Sequence, residues 1–291
     1  MPLQNTITCV ENNPALLPNK VVYRKNEVLL KVLCTGLCKT DILAANGVIE
    51  TTNGRVLGHE CVAEIVPIEN ANLPTQRIIL WPYLPCKNCK ACMRNSGKQC
   101  SSPLQFGIDR DGCFSEYLMA PRQNCIPIPP ALSLKKAAYV EPLASALGIL
   151  DLNINTNDSI LILGINRRTE LCLRVLKHAG YLDVQRRENP LPNTSFSVIL
   201  DGRSTRKDPT QALKLGGTLY ELRRGPFQIA ERDSIGALKI PMGQPEMAIA
   251  LLCDPQFDID DLLGPVYSLS EFISCFSKDD GPKLFCNPWL D

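Results

Sequence analysis

The sequence is poor in histidine and in net charge. Its 291 residues include only 2 histidines, His59 and His178, so imidazole chemistry has few places to occur. Lysine plus arginine (31) nearly cancels aspartate plus glutamate (30), leaving +1. That balance argues against a nucleic acid or a membrane surface as a partner held by bulk electrostatics. No apolar run reaches the roughly 18 residues a membrane span requires, so no membrane partner is expected. The opening MPLQNTITCVENN has no basic segment followed by an apolar stretch, so we expect no secretory leader and a cytoplasmic location. Internal repeats and low-complexity tracts are also missing.

What the chain does have is apolar residues (45%), enough to fill a core, and 14 cysteines. A disulfide framework and metal binding compete to explain so many thiols. Without a secretory leader, clustered cysteines favour metal. The cysteines outside the clusters read as small apolar filler.

Patterning divides the chain. Residues 21–34 alternate and are β-branched, and 56–66, 76–81 and 114–128 also read as short strands separated by turn residues. The first half is therefore all-β with loops, compatible with a small barrel. Near Ser133 the character changes. Residues 133–150 read as helical, with Ser133 a cap and Pro142 a kink. Then come an apolar strand at 159–163, a helix at 170–179 ended by Gly180, a strand at 183–188 and a buried strand at 196–201. Residues 211–222 read as helix, turn and strand. The alternation is that of a doubly wound parallel sheet. Helices are expected at 245–253 and 268–276. The expected fold class is α/β: a β-barrel domain over 1–147, a shortened Rossmann-like domain over 148–242, and a return to the first domain over 243–291.

Cys86, Cys89, Cys92 and Cys100 have the spacing of a zinc cage. Two-residue gaps let successive thiolates turn inward within one tight loop, and the longer gap closes the tetrahedron. Four thiolates leave no open coordination position, so this zinc is structural. A second, dispersed set comprises Cys38 in GLCKTD, His59 and Glu60 in LGHE, and Glu141 in EPLA. A thiolate, an imidazole and a carboxylate would supply the mixed, open site of a catalytic zinc. His178, near a helix C-terminus, reads as a surface residue.

The phrases GLCKTD, LGHE, PCKNCKACMRNSGKQC, DGCFSEYL and EPLA occur in an order that resembles the zinc-dependent medium-chain alcohol, polyol, sugar and threonine dehydrogenases. The likeness implies a GroES-like barrel followed by a Rossmann segment. It implies that Cys38 and His59 bind the catalytic zinc, with Glu60 and Glu141 as the carboxylates used directly or through water. It assigns Thr40 to relaying the substrate proton and Asp41 to orienting the histidine, a role with clear physical logic. The implied reaction is hydride transfer from an alcohol, polyol or sugar to NAD or NADP. The family's dimers form through the cofactor-sheet edge, here residues 234–242, which makes a homodimer the expectation.

The cofactor segment departs from that pattern. A dinucleotide turn uses Gly-x-Gly-x-x-Gly, but the chain reads Gly164-Ile165-Asn166-Arg167-Arg168-Thr169. Gly164 survives, Asn166 brings a side chain to the phosphate position, and Arg167 or Arg168 offers charge for a phosphate. Glu188 stands where the acid for the ribose would be. Only residues 189–195 separate Glu188 from the next buried strand, which leaves no room for a helix. The outer strands of the sheet are therefore expected to be deleted, with 183–188 as its edge. Two readings follow: a dehydrogenase with an adapted cofactor site, or a non-redox zinc enzyme, partner subunit or pseudoenzyme that has lost normal NAD(P) binding. A purely structural zinc module would not need the Cys38–His59–Glu141 set.

Overall fold

The computed structural model describes residues 3–67, 76–94, 100–190, 194–203, 208–222, 229–230, 244–278 and 281–290. It resolves into two compact units. The first holds residues 1–141, 245–253 and 258–291; the second holds 142–244 and 254–257.

The first unit opens with a hairpin, β1 (Leu3–Val10) and β2 (Asn13–Lys20), that the sequence reading did not identify. Its turn places Glu11 and Asn12 at positive φ. Residues 21–26, expected to be strand, form the connection to β3 (Glu27–Gly36). After helix α1 (Lys39–Ala45) come β4 (Arg55–Val56), β5 (Glu60–Val66) and β6 (Arg77–Leu80). The four-cysteine segment follows, with β7 (Tyr83–Leu84), the one-turn α2 (Lys90–Met93) and β8 (Leu104–Gln105). β9 (Tyr117–Pro121) and β10 (Cys125–Pro127) complete the barrel strands. The sheet runs β10-β6-β5-β3, with β9 also on β3, and every one of these pairings is antiparallel. Inside it Leu30, Val32, Ile78, Leu80, Phe106 and Leu118 pack together. A second cluster of Ile7, Leu57, Phe114, Phe272 and Phe276 lies under α1 and the hairpin. Burying such side chains is the main favourable term in folding.

The helical stretch after Ser133 is two helices, α3 (Leu134–Ala138) and α4 (Val140–Leu147). The Ser133 hydroxyl accepts from the Lys136 N–H and caps α3. Pro142 has no N–H to donate to the Ala138 carbonyl, so the break falls at Tyr139 and proline sits in the tolerated first turn of α4.

The second unit is an open sheet ordered β12-β11-β13-β14-β15. Its strands are β11 (Ile160–Leu163), β12 (Val184–Arg187), β13 (Phe196–Asp201), β14 (Leu213–Leu222) and β15 (Ile229–Ala230). β11 pairs in parallel with both β12 and β13, and all four of its residues are buried. An apolar face on either side is what a central parallel strand requires. β12 is the edge among the described residues, and edge position explains how a strand reading VQRR is accommodated. Between β11 and β12 runs α5 (Arg167–His178), which starts three residues before the expected Glu170. The cause is a reciprocal cap: the Thr169 N–H donates to Asn166 Oδ1, and the Asn166 N–H donates to Thr169 Oγ1. The helix expected at 211–215 is a single 3-10 turn, Thr210–Ala212, after which β14 passes through Gly216 and Gly217 with a shift of its register against β13, Gly216 at φ +78°.

The chain then returns to the first unit as α6 (Pro245–Leu252), β16 (Leu263–Tyr267), α7 (Leu269–Phe272) and β17 (Lys283–Cys286). β17 joins β3 and extends the barrel sheet by two strands, β17 and β16. The ion pair Lys136–Asp260 (2.9 Å) and the bond from Lys135 Nζ to the Gly264 carbonyl (3.2 Å) tie this return to α3. The expected dimer edge, residues 234–242, lies outside the described residues. No described helix is long and apolar enough to cross a membrane.

Candidate metal centre

The two donor sets read from the sequence each converge. Sulfur atoms of Cys86, Cys89, Cys92 and Cys100 all lie within 4.8 Å of one another. The segment builds this cage by turning tightly: Lys87 adopts φ +64°, and Cys89 caps α2 by accepting the Cys92 N–H (3.5 Å). The Cys86 N–H donates to the Cys100 sulfur (3.3 Å). Backbone donors from Cys92 and Ser101 bring the Cys89 thiol down to about 5, whereas burial pushes Cys92 up to about 12. Four sulfurs this close cannot all ionise unless a cation shares their charge, which is the electrostatic signature of a thiolate cage.

The second set brings Cys38, His59 and Glu60 ligand atoms within 4.8 Å of one another. Cys38 arrives as the N-cap of α1, and His59 and Glu60 arrive where the chain enters β5. Gly58 makes the entry feasible. It holds φ +98°, and a Cβ there would lie 2.8 Å from the Phe114 ring. Asp41 fixes the geometry from inside. Fully buried, it accepts the Cys38 N–H (3.0 Å) on Oδ2 and the Gly58 N–H (3.1 Å) on Oδ1. His59 Nδ1 lies 3.0 Å from the same Oδ1. A carboxylate can only accept, so Nδ1 carries the proton and Nε2 is left as the ligand atom. Burial works to lower the His59 pKa, but Asp41 and Cys38 outweigh it and hold the imidazole well above its ordinary value. The same negative surroundings suit a metal cation.

Glu141, at the start of α4, accepts a hydrogen bond from the Tyr83 hydroxyl (2.7 Å) rather than joining the Cys38–His59–Glu60 group directly. Burial raises its pKa, aided by the neighbouring Glu60 and opposed by His59. Thr40 is half-buried in the first turn of α1, two residues after Cys38. Two side chains at this site escaped the sequence reading. Tyr83 gave no signal beyond its place in WPY. Lys283 did: a lone cation opens the otherwise apolar β17 (KLFC). It is buried and ion-paired to Glu60.

The residues proposed for the cofactor lie at the β11–α5 turn and just after β12, where Asn166 and Glu188 bond to neighbouring backbone. Gly164 turns the chain at φ +103°. The Ile165 N–H donates to Glu188 Oε2 (2.9 Å), and Asn166 Nδ2 donates to the Gly202 carbonyl (3.1 Å). Arg167 is the first residue of α5. Thr169 Oγ1 donates to the Gly164 carbonyl (2.8 Å). Thr169 occupies the place of the third glycine, and the room it needs is supplied across the turn. A Cβ on Gly202 would stand 2.5 Å from Thr169 Cγ2. His178 pairs with Asp254 (3.4 Å) and edges onto Phe257, away from any metal donor set. Of the cysteines outside the two sets, all but Cys253 are buried, in keeping with apolar filler.

Comparison with known proteins agrees with this architecture. The profile of the alcohol dehydrogenase GroES-like domain matches residues 24–130. L-galactonate-5-dehydrogenase of Escherichia coli K12 is 32% identical over 56% of this chain and 50% of its own length. L-threonine 3-dehydrogenase of Pyrococcus horikoshii is 30% identical over 53% of this chain and 46% of its own. The chain thus spans about half the length of the curated relatives it matches. Among solved structures, a protein described as a zinc-binding dehydrogenase from Sinorhizobium meliloti 1021, bound to NADP, superposes with a TM-score of 0.83. It shares 21% identity, over 99% of this chain and 100% of that one. L-idonate 5-dehydrogenase of E. coli K-12 gives 0.79 at 17% identity, over 98% of each chain. The chain thus carries a match to the alcohol dehydrogenase GroES-like domain over residues 24–130 and shares the overall fold of these solved dehydrogenases.

Proposed function

We propose that this chain is a zinc-dependent oxidoreductase acting on an alcohol, polyol or sugar, with NAD or NADP as the hydride acceptor. The observation that carries the proposal is the convergence of Cys38, His59 and Glu60 from two separate segments, the N-cap of α1 and the entry to β5, buttressed by a fully buried Asp41. Soft, borderline and hard donors in one partly closed group fit zinc with a position left for substrate. Bound there, zinc would supply the Lewis acidity that acidifies a substrate hydroxyl near neutral pH. The chain's own residues do the rest. Asp41 holds the His59 tautomer, Thr40 passes the hydroxyl proton outward, and Tyr83 and Glu141 form a half-buried hydrogen-bonded pair beside the donors. Two zincs per chain, one structural at Cys86–Cys100 and one at Cys38–His59, belong to this reading. So do a cytoplasmic location and a homodimer. Relatives named for a sugar acid and for a hydroxy amino acid favour a polyhydroxylated or amine-bearing alcohol as substrate over a simple alcohol.

A second reading is favoured by the turn at 164–169. The amides of Ile165, Asn166 and Thr169 are taken by Glu188, Thr169 and Asn166. In a dinucleotide site such groups meet the pyrophosphate. On this reading the zinc chemistry persists without ordinary NAD(P) binding. Calorimetric titration of zinc-loaded protein with NAD and NADP separates the two. Saturable binding, with turnover of a polyol panel, supports the oxidoreductase. Two zincs per chain with no nucleotide binding support the non-redox alternative, and one zinc per chain overturns both.

A further inference from the structure

β9 has one edge without a partner strand. Among the described residues it pairs only with β3. β1 reaches the other edge at a single bridge, Thr6–Ser115, just before β9 begins. Further along, side chains stand in for a strand. Gln4 Nε2 donates to the Tyr117 carbonyl (2.9 Å), and Gln4 Oε1 accepts the Tyr117 N–H (2.6 Å). Outward-facing backbone groups recur at every second residue, so Met119 is next, and its carbonyl accepts from Arg110 Nη2 (3.2 Å).

The missing strand leaves a cleft of about 410 Å³, open to solvent, beside Tyr117 and Met119. It is also lined by Lys20, Val22 and Arg24, from the end of β2 and the connection to β3. The Val22 backbone makes no hydrogen bond among the described residues, and the residue is 57% exposed. Charge around the cleft is uneven. The carboxylates beside it are engaged, Asp111 by Arg55 (3.0 Å) and Glu27 by Arg110 (2.8 Å). Lys20 and Arg24 are exposed and meet no carboxylate among the described residues. No donor of either metal set lines the cleft. Unpaired backbone beside uncompensated positive charge favours an extended acidic segment, which gains affinity through its main chain and selectivity through its charge.

We propose that this cleft is a docking slot for an extended peptide segment of another protein, one whose acidic side chains meet Lys20 and Arg24. The incoming main chain pairs with Val22 and fills the place beside β9 that no strand of the described residues takes. The inference is independent of the metal chemistry proposed above.

The test uses the full chain and a fluorescein-labelled hexapeptide, Val-Glu-Val-Glu-Val-Glu, followed by anisotropy. Wild type should bind it saturably, and added salt should weaken the binding. The same pattern with lysine in place of glutamate should not bind. The acidic peptide with every amide N-methylated keeps its charge but loses its donors, and it should bind about tenfold more weakly or worse. K20A/R24A should weaken the acidic peptide about three- to tenfold while keeping the wild-type thermal midpoint and zinc content. Absence of saturable binding to wild type would overturn the proposal. So would equal binding of the lysine peptide, or an unchanged affinity in K20A/R24A. Equal binding of the N-methylated peptide would overturn it in favour of a site that reads charge alone.

Discussion

Asp41 is the side chain on which the candidate catalytic site depends most, and Asp41→Asn isolates its role with little change of shape. The wild-type carboxylate accepts three donors: Oδ2 takes the Cys38 N–H, while Oδ1 takes the Gly58 N–H and the His59 ring. Asparagine can keep only one of those oxygens. Keeping the one that faces Gly58 and His59 sets its NH2 against the Cys38 N–H; the opposite flip loses two bonds. The better flip therefore costs one buried hydrogen bond and leaves a donor unsatisfied, about 2–3 kcal/mol in stability. It also removes the negative charge that draws the His59 proton onto Nδ1. Metal affinity at Cys38–His59 should fall about 10–100-fold, the usual loss when such a buttress is removed. The pH dependence has a definite sign. In chelator-treated wild type the folded pKa of His59 is raised. The stability this contributes is complete below the unfolded value, about 6.5, and is lost as pH rises through the higher folded value. The gap in urea midpoint between wild type and Asp41→Asn should therefore be wide in mild acid and narrow in alkali. It should not close, because the lost hydrogen bond is independent of pH. Wild-type metal affinity in Asp41→Asn, or a gap that widens with pH, would refute the reasoning.

Further expectations follow from other parts of the molecule. Cys89→Ser should release one zinc per chain and lower the thermal midpoint, while the metal at Cys38–His59 remains; differential scanning calorimetry with metal analysis checks both. Gly58→Ala should destabilise by about 2–5 kcal/mol, from positive φ and a clash with Phe114 whose backbone cannot yield. Denaturant titration should show this, and a cost under about 1 kcal/mol would contradict the packing described. Glu188→Ala frees the Ile165 amide. If that contact impedes nucleotide binding, NAD or NADP affinity should rise several-fold by calorimetry; unchanged affinity would acquit Glu188. Phe114→Ala, emptying a ring that touches both Phe272 and Phe276, should cost about 3–5 kcal/mol in an unfolding titration.

The legibility of the chain was uneven for physical reasons. The four-cysteine cage was readable because its donors lie within one short segment, where spacing alone sets the geometry. β11 was readable because a buried parallel strand leaves no polar position, and the edge place of β12 followed from the eight residues, 188–195, that separate it from β13. The start of α5 was misplaced because a reciprocal Asn166–Thr169 cap carries no apolar periodicity. Residues 21–26 were misread as strand because alternation marks a strand only where a partner strand pairs with it. The first hairpin escaped because β2, with its two prolines, is an edge strand with few buried side chains.

Sequence by itself determined the donor chemistry, the four-cysteine cluster and the edge place of β12, because each depends on residue type and short spacing. Only the tertiary structure decided that Asp41 reaches His59, that Tyr83 meets Glu141, and that Lys283 crosses the chain to Glu60. Those contacts join residues up to 223 positions apart. The longest of them depends on how a returning strand, β17, docks onto β3, and no local pattern encodes that.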